Sequence, residues 1–179
     1  MILTRRDFTP ALASLRALRQ SQGYEVVVVD IEDVYDEFSY GNKTPRAITD
    51  FLDYARSNWK ISPRFVLLAG DASFDPKDYL GFGDKDIVPT KLFDTQLMET
   101  ASDNLLADFD GDGLADMALG RLPARTAREA ASMVSRIVEY DLIGRSSGVL
   151  LVADDASDGV DFEARNAELR SLIPNDQRI

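Results

Sequence analysis

Apolar residues in the first thirty positions predict a helix followed by a strand. The pair Thr9-Pro10 is typical of a helix start, because the hydroxyl can cap the helix and proline suits its first turn. Leucines then recur at helical spacing until Gly23. The next run, YEVVVVD (residues 24–30), is apolar and β-branched without alternation. Such a run is typical of a parallel strand buried on both faces, so we predict a central strand here.

A second helix and a second strand are predicted after a loop. Residues 31–43 mix acidic and aromatic side chains and end in turn-forming residues, which indicates a surface loop. Thr44-Pro45 repeats the helix start, and apolar residues then recur at i, i+3, i+4 and i+7, so we expect a helix that ends near Trp59. FVLLA (residues 65–69) is typical of another buried strand.

The second half of the chain continues this alternation. Four elements are predicted there: a strand over 117–123, a helix from Thr126 to about Gly144, a strand over 148–155 and a helix over 161–173. Glu129 lies three residues after Thr126, which forms a capping box, and GRSSG (residues 144–148) is typical of a linker. The order of elements predicts an α/β fold of three layers, in which a mostly parallel sheet of Rossmann or flavodoxin-like type carries helices on both faces.

Composition restricts the function more than it restricts the fold. The 179 residues suffice for one α/β domain, or for one domain and the start of another. The net charge of −11 makes nucleic acid an unfavourable partner, and no apolar run has the length of a membrane span. No signal peptide is recognisable, so we expect a cytoplasmic chain or a piece of a longer protein. Cysteine and histidine are both absent, which excludes disulfides and a Cys/His or Ser/His catalytic pair within this chain.

The stretch DFDGDGLAD, residues 108–116, concentrates carboxylates in a tight turn. Counted from its first residue, it follows the ligand order of a calcium loop of EF-hand type, with glycine at position 6 for the sharp turn. Position 12 is Leu119 rather than glutamate, so the loop resembles the shorter DxDxDGxxD variant of integrin-type repeats. We predict a structural calcium ion held by Asp108, Asp110, Asp112, the Leu114 carbonyl and Asp116. The alternative is a solvated Asp/Gly turn without metal.

The same residues allow a phosphatase hypothesis. Apolar residues followed by DxDG resemble the first motif of haloacid dehalogenase-type phosphatases, in which Asp108 would be the nucleophile, Asp110 the acid/base and magnesium the metal. That family has threonine where Asp112 stands, and it needs a downstream lysine, whereas no lysine follows Lys91. We therefore rank this hypothesis below the calcium loop.

An ordered series of segments resembles one peptidase family. DFTPALASLRALRQSQGYEVVVVD, PRFVLLAGDASFDPKDYLG and ETASDNLLADFDGDGLADMALGRLPARTAREA are similar to the first subdomain of the gingipain-type cysteine peptidases, from about Phe8 to about Leu142. The resemblance implies a caspase-like α/β architecture and a bacterial protein that is secreted or on the cell surface. In that family the catalytic histidine and cysteine belong to the second subdomain.

The resemblance therefore implies a fragment. Residues 1–146 correspond to the first subdomain, and residues 147–179 to the truncated start of the catalytic one. The expected partners are the second subdomain of the same parent chain and a protein or peptide substrate of the parent. The fragment itself is expected to be inactive and to support the catalytic subdomain. A non-enzymatic cell-surface interaction module of the same fold is the main alternative.

The loop over residues 71–89 offers further candidate chemistry. Asp71 with Asp75 or Asp94 could form an aspartic pair, although neither matches the Asp-Thr/Ser-Gly signature. Ser73 with Lys77 could form a serine/lysine pair. The loop could also border the substrate cleft or help to hold an ion, and the simplest interpretation is a loop capped by its own aspartates.

Overall fold

The computed structural model describes residues 1–83, 85–143, 149–156, 159 and 161–174. The chain forms two compact units, Met1–Glu139 and Tyr140–Ile179. None of the helices in the described part of the chain is both long and apolar enough to cross a membrane.

A four-stranded parallel sheet forms the centre of the first unit. Its spatial order is β2-β1-β3-β6, with strands β1 (Ile2–Thr4), β2 (Val28–Asp30), β3 (Phe65–Ala69) and β6 (Ala118–Leu122). Ile2 lies opposite Val28 on one side and Leu67 on the other, and Leu67 lies opposite Gly120. A separate antiparallel hairpin consists of β4 (Lys91–Asp94) and β5 (Glu99–Ser102). The parallel order confirms the predicted α/β class.

Helices cover both faces of this sheet. They are α1 (Ala13–Ser21), α2 (Ile31–Ser39), α3 (Pro45–Asn58) and α4 (Ala127–Ile143). A further helix, α5 (Phe162–Leu172), lies in the second unit. Successive residues of a strand point to opposite faces. Accordingly, Ile2 packs in a cluster with Leu15 of α1 and Val134 of α4, whereas Leu3 packs in a second cluster with Leu52 of α3. The three-layer arrangement is the predicted one.

Helix α3 forms as its sequence predicts. Thr44 Oγ1 accepts a hydrogen bond from the backbone N–H of Ala47 at 3.2 Å, and Pro45 occupies the first turn, where its missing N–H costs no bond. The four apolar positions that predicted the helix are all buried: Ile48, Phe51, Leu52 and Ala55. The helix ends before Trp59.

The predicted loop over residues 31–43 is wrong for most of its length, because α2 occupies residues 31–39. The apolar residues of this segment follow the helical spacing i, i+3, i+4 and i+7, at Ile31, Val34, Tyr35 and Phe38. The pattern of an amphipathic helix was therefore present between the acidic residues. The first three of these residues are buried, and Asp30 caps the helix by accepting a bond from the Glu32 N–H at 3.3 Å. The acids between them occupy its solvent face.

Two further predictions need correction. Residues 24–30 do not form a central strand, since only Val28–Asp30 pairs, and it lies at the edge of the sheet. The inner position beside it belongs to Ile2–Thr4, a strand too short to give a period. The first helix does not start at Thr9-Pro10, which lies inside a 3₁₀ segment, Arg6–Leu12, without a side-chain cap.

Towards the chain end, helix α5 confirms the predicted helix, and Asp161 caps it through the Ala164 N–H at 2.9 Å. Residues 149–156 form no strand in the structure, so the strand predicted over 148–155 is wrong in its described part. The predicted linker 144–148 lies outside the described residues.

Candidate functional site

The acidic loop lies between a 3₁₀ turn, Asn104–Leu106, and strand β6. Its two ends are anchored in the core, because Ala107 and Met117 are both buried. The N–H of Asp116 donates to the Ala107 carbonyl at 2.8 Å, which closes the loop at its base. The carboxylates therefore project from a turn whose ends are fixed by packing.

The turn is shaped by two glycines and by the side chain of Asp108. Gly111 and Gly113 have φ values of +80° and +87°, a region that glycine enters without steric cost. Asp108 Oδ1 accepts the Gly111 N–H at 2.8 Å, and its Oδ2 accepts the Gly113 N–H at 3.0 Å. The Asp108 carboxylate thus accepts two backbone hydrogen bonds and fixes the shape of the turn.

Three of the predicted ligands come together. Asp108, Asp110 and Asp116 each offer a carboxylate oxygen, and these oxygens lie within 4.8 Å of one another. Calcium binds oxygen at about 2.3–2.6 Å, so two ligands of one ion lie at most about 5 Å apart. The spacing of the three carboxylates fits a single calcium ion on this criterion.

The other two predicted ligands have different contacts. Asp112 is not part of the three-carboxylate group, and its Oδ1 accepts the N–H of Leu114 at 2.8 Å. Leu114 has an exposed side chain. Both residues remain predicted ligands, and the carboxylate of Asp112 serves the turn itself in this structure.

Sequence reasoning missed a basic residue that contacts the loop. Arg56 of α3 places Nη1 2.9 Å from Asp116 Oδ1, and its guanidinium lies 4.9 Å from the centre of the Phe109 ring. The pKa of Asp116 lies below its ordinary value, first because Oδ2 accepts the Phe109 N–H at 3.0 Å and also because of Arg56. No motif links α3 to the loop, so only the fold could reveal this contact.

A second group of polar side chains lies where β3 and β6 end, at the carboxyl edge of the sheet. Arg121 is its centre, because its Nε and Nη2 each donate to Asp103 at 2.7 Å, and its Nη1 donates to the carbonyls of Gly70 at 2.6 Å and Val88 at 2.7 Å. Burial raises the pKa of Asp103, but the hydrogen bonds and charge of Arg121 outweigh it and hold that pKa below its ordinary value. This network ties the loop after β3 to β6 and to the segment after β5.

The structure separates the other candidate pairs. Asp71 Oδ2 bonds to Arg125 Nε at 2.8 Å, so this carboxylate is paired with a cation and not with a second acid. Asp75 accepts the backbone N–H groups of Tyr79 and Leu80 at 3.0 and 2.7 Å. These contacts match a loop capped by its own aspartates and give no support to a shared-proton pair.

Ser73 is likewise engaged within the loop. Its Oγ accepts the N–H of Asp75 at 3.0 Å, and its own N–H donates to Asp86 Oδ1 at 3.0 Å. Asp86 is 2% exposed and lies 3.5 Å from the Nζ of Lys43. The serine is thus a turn residue fixed by two aspartates, and the contacts assign it no nucleophilic role.

Comparison with known proteins gives the family. The sequence model described as peptidase family C25 matches residues 1–179, which is the whole chain. The chain belongs to peptidase family C25. This confirms the resemblance to gingipain-type cysteine peptidases, and it gives the phosphatase hypothesis no support.

A solved structure agrees on the fold. The crystal structure of dimeric latent PorU from Porphyromonas gingivalis matches with a TM-score of 0.60 and 24% sequence identity, over 78% of this chain and 15% of PorU. The chain therefore spans only about a seventh of the length of PorU. No match was found among curated proteins.

Proposed function

We propose that this chain is the supporting first subdomain of a gingipain-like cysteine endopeptidase. The observation that carries the proposal is the family match over residues 1–179 in a chain without cysteine or histidine. A cysteine peptidase needs a thiolate and a neighbouring base. The catalytic pair therefore belongs to another part of the parent protein, and this chain supports and partly walls the subdomain that holds it.

The proposed role suits the carboxyl edge of the sheet. In open α/β sheets, binding sites collect at the carboxyl ends of strands. Here that edge is held rigid by Arg121, which bonds to Asp103 and to the carbonyls of Gly70 and Val88. A rigid edge can position neighbouring loops against a protein or peptide substrate of the parent.

A structural calcium ion in the acidic loop is part of the proposal. The proposed ligands are Asp108, Asp110, Asp112, the Leu114 carbonyl and Asp116. Carboxylates about 5 Å apart repel one another by roughly 1 kcal/mol per pair or more, and a divalent cation removes that repulsion. When bound, the ion would hold the turn that leads into β6. We also propose an extracellular or cell-surface location in a bacterium, as in gingipain-type proteins.

The catalytic part is tested with the gene and with a peptidase assay. We expect the reading frame to continue beyond Ile179 into a segment that encodes histidine and cysteine. The full-length product should cleave a fluorescent casein, its variant with that cysteine changed to alanine should not, and the 179-residue chain alone should be inactive. A frame without either residue would favour the non-enzymatic surface module. Cleavage by the purified 179-residue chain would contradict the proposal.

The calcium part is tested by thermal unfolding. At a calcium concentration about 100 times the Kd, binding adds about 2.7 kcal/mol, which raises the Tm of a chain of this size by about 5–10 °C over EDTA. Asp110→Asn should remove the response. Asp94→Asn is the matched control, because Asp94 is an exposed acid of β4 outside the loop. Equal Tm values in calcium and EDTA would remove the ion from the proposal and leave the family assignment intact.

A further inference from the structure

The acidic loop is paired with a cation at one of its carboxylates. Arg56 of α3 places Nη1 2.9 Å from Asp116 Oδ1. Within the described residues, no ion pair forms at three other carboxylates of the loop, those of Asp108, Asp110 and Asp112. These three accept backbone N–H groups of the turn instead. In the part of the chain that the structure describes, Arg56 is therefore the cation that pairs with this loop.

Both oxygens of Asp116 already have partners. Oδ1 contacts Arg56, and Oδ2 accepts the Phe109 N–H at 3.0 Å. The guanidinium of Arg56 is also held from a second side, because it lies 4.9 Å from the centre of the Phe109 ring. Asp116 belongs to the group of three carboxylates whose oxygens lie within 4.8 Å of one another. A metal ion bound by that group would therefore meet a carboxylate that already contacts a guanidinium.

The contact between Arg56 and Asp116 can open while the rest of the chain stays folded. Their side chains are 41% and 27% exposed. Ion pairs with this exposure are weak, because water solvates both charges when they separate. Arg56 lies in the last turn of α3, and its Nε is 3.9 Å from Asp53 Oδ1 of the same helix. A guanidinium released from Asp116 therefore keeps an acidic neighbour.

The charges determine the sign of the effect on a metal ion. Calcium binds oxygen at about 2.3–2.6 Å, so an ion on the Asp116 carboxylate would lie about 5–7 Å from the Arg56 guanidinium. At that distance a single and a double positive charge repel enough to change an affinity roughly tenfold, even at the dielectric constant of water, and salt reduces this factor. Calcium and Arg56 therefore oppose each other at Asp116.

We propose that Arg56 regulates the acidic loop as an internal competitor of calcium, because the guanidinium and the ion compete for the Asp116 carboxylate. The inference rests on the calcium ion of the proposed function. Coupling between two binding events is reciprocal, so calcium weakens the contact between α3 and the loop by the same factor by which Arg56 weakens calcium binding. The loop is thus tied to α3 in one state and to the ion in the other.

The test is calorimetric titration of the 179-residue chain with calcium at about 0.1 M salt, where the Debye length is about 10 Å. Arg56→Met removes the charge and should bind calcium about fivefold more tightly or better. Arg56→Lys keeps the charge and should stay within about threefold of the unchanged chain. Arg46→Met is the matched control, because Arg46 pairs with Asp50 about 15 Å along α3 from Arg56. Its effect should stay within about twofold.

Thermal unfolding measures the reciprocal effect independently. In EDTA, Arg56→Met should lower the Tm, because the contacts with Asp116 and Phe109 are lost. In saturating calcium this difference should shrink or change sign, because the variant binds the ion more tightly. A Tm difference that calcium leaves unchanged would overturn the inference.

The calorimetric result separates this inference from the proposed ion. If the unchanged chain binds calcium but Arg56→Met binds it no more tightly, or no more tightly than Arg46→Met does, the inference is overturned and the ion stands. If neither the unchanged chain nor Arg56→Met binds millimolar calcium, the ion and the inference are both overturned, and the family assignment remains.

Discussion

Replacement of Arg121 tests how the carboxyl edge of the sheet is held. The substitution Arg121→Met keeps most of the side-chain length but removes every hydrogen-bond donor. It breaks both bonds to Asp103, each 2.7 Å long, and the bonds to the carbonyls of Gly70 and Val88. The Arg121 side chain is only 12% exposed, so water cannot simply take its place.

The expected cost follows from the exposure of the partner. Removing one member of a fully buried ion pair costs about 3–5 kcal/mol, because the other charge is left without a partner. The side chain of Asp103 is 25% exposed, so water recovers part of that cost. Two carbonyls also lose a donor, at about 1 kcal/mol each when partly hydrated. We expect a loss of about 3–4 kcal/mol in the free energy of unfolding, which corresponds to a fall in Tm of about 6–15 °C.

The assay is urea unfolding followed by circular dichroism, with two companion variants. Arg121→Lys keeps the charge but not the two-pronged geometry, so it should lose about half as much. Adding Asp103→Asn to Arg121→Met should recover about 1 kcal/mol, because it removes the unpaired charge. A loss below about 1 kcal/mol for Arg121→Met would refute the reasoning, and so would an unchanged stability on adding Asp103→Asn.

Three other predictions follow from single contacts. Gly70→Ala should lower the free energy of unfolding in urea by about 3 kcal/mol, because the φ of +152° is strained for alanine and the new Cβ would lie 2.6 Å from Ile87 Cγ2. Gly120→Ala is the control: a Cβ there would have nothing within 4 Å, so the same free energy should change by less than about 1 kcal/mol. Thr44→Ala should lower stability by about 1 kcal/mol through loss of the α3 cap, and Thr44→Ser should restore it. The lowered pKa of Asp103 adds stability that is present above about pH 4 and is lost as the pH falls through the folded-state pKa. When the free energy of unfolding is measured at a series of acidic pH values, it should therefore depend less on pH in Arg121→Met than in the unchanged chain.

The parts of the fold that sequence could predict are those in which local and tertiary preferences agree. Helix α3 has a threonine cap, a proline in its first turn and a complete apolar stripe, and all three act in the structure as expected. Strand β3 is likewise a short apolar run that the fold places at the centre of the sheet. In these elements each local signal points to the same structure, so little information from the rest of the chain is needed.

The predictions fail for elements whose position in the sheet is decided by the rest of the chain. Strand β1 has only three paired residues, and its central place depends on β2 and β3, which follow 24 and 61 residues after Thr4. The valines before Asp30 favour a central strand locally, but the order of the sheet leaves them at an edge. The order of strands in a sheet depends on the whole topology, so the periodicity of one segment does not predict it.

The candidate site likewise contains some residues that local sequence identifies and others that only the fold brings into contact. Spacing alone identified the carboxylates of the acidic loop, because a turn brings residues close in space when they are close in sequence. It could not identify Arg56 or Arg121, whose partners come from distant segments. Both arginines meet aspartates only after the sheet and α3 have assembled, and each lowers the pKa of the carboxyl that it contacts. The carboxylates of the acidic loop are therefore encoded locally, whereas Arg56, the cation that contacts Asp116, is supplied by the fold.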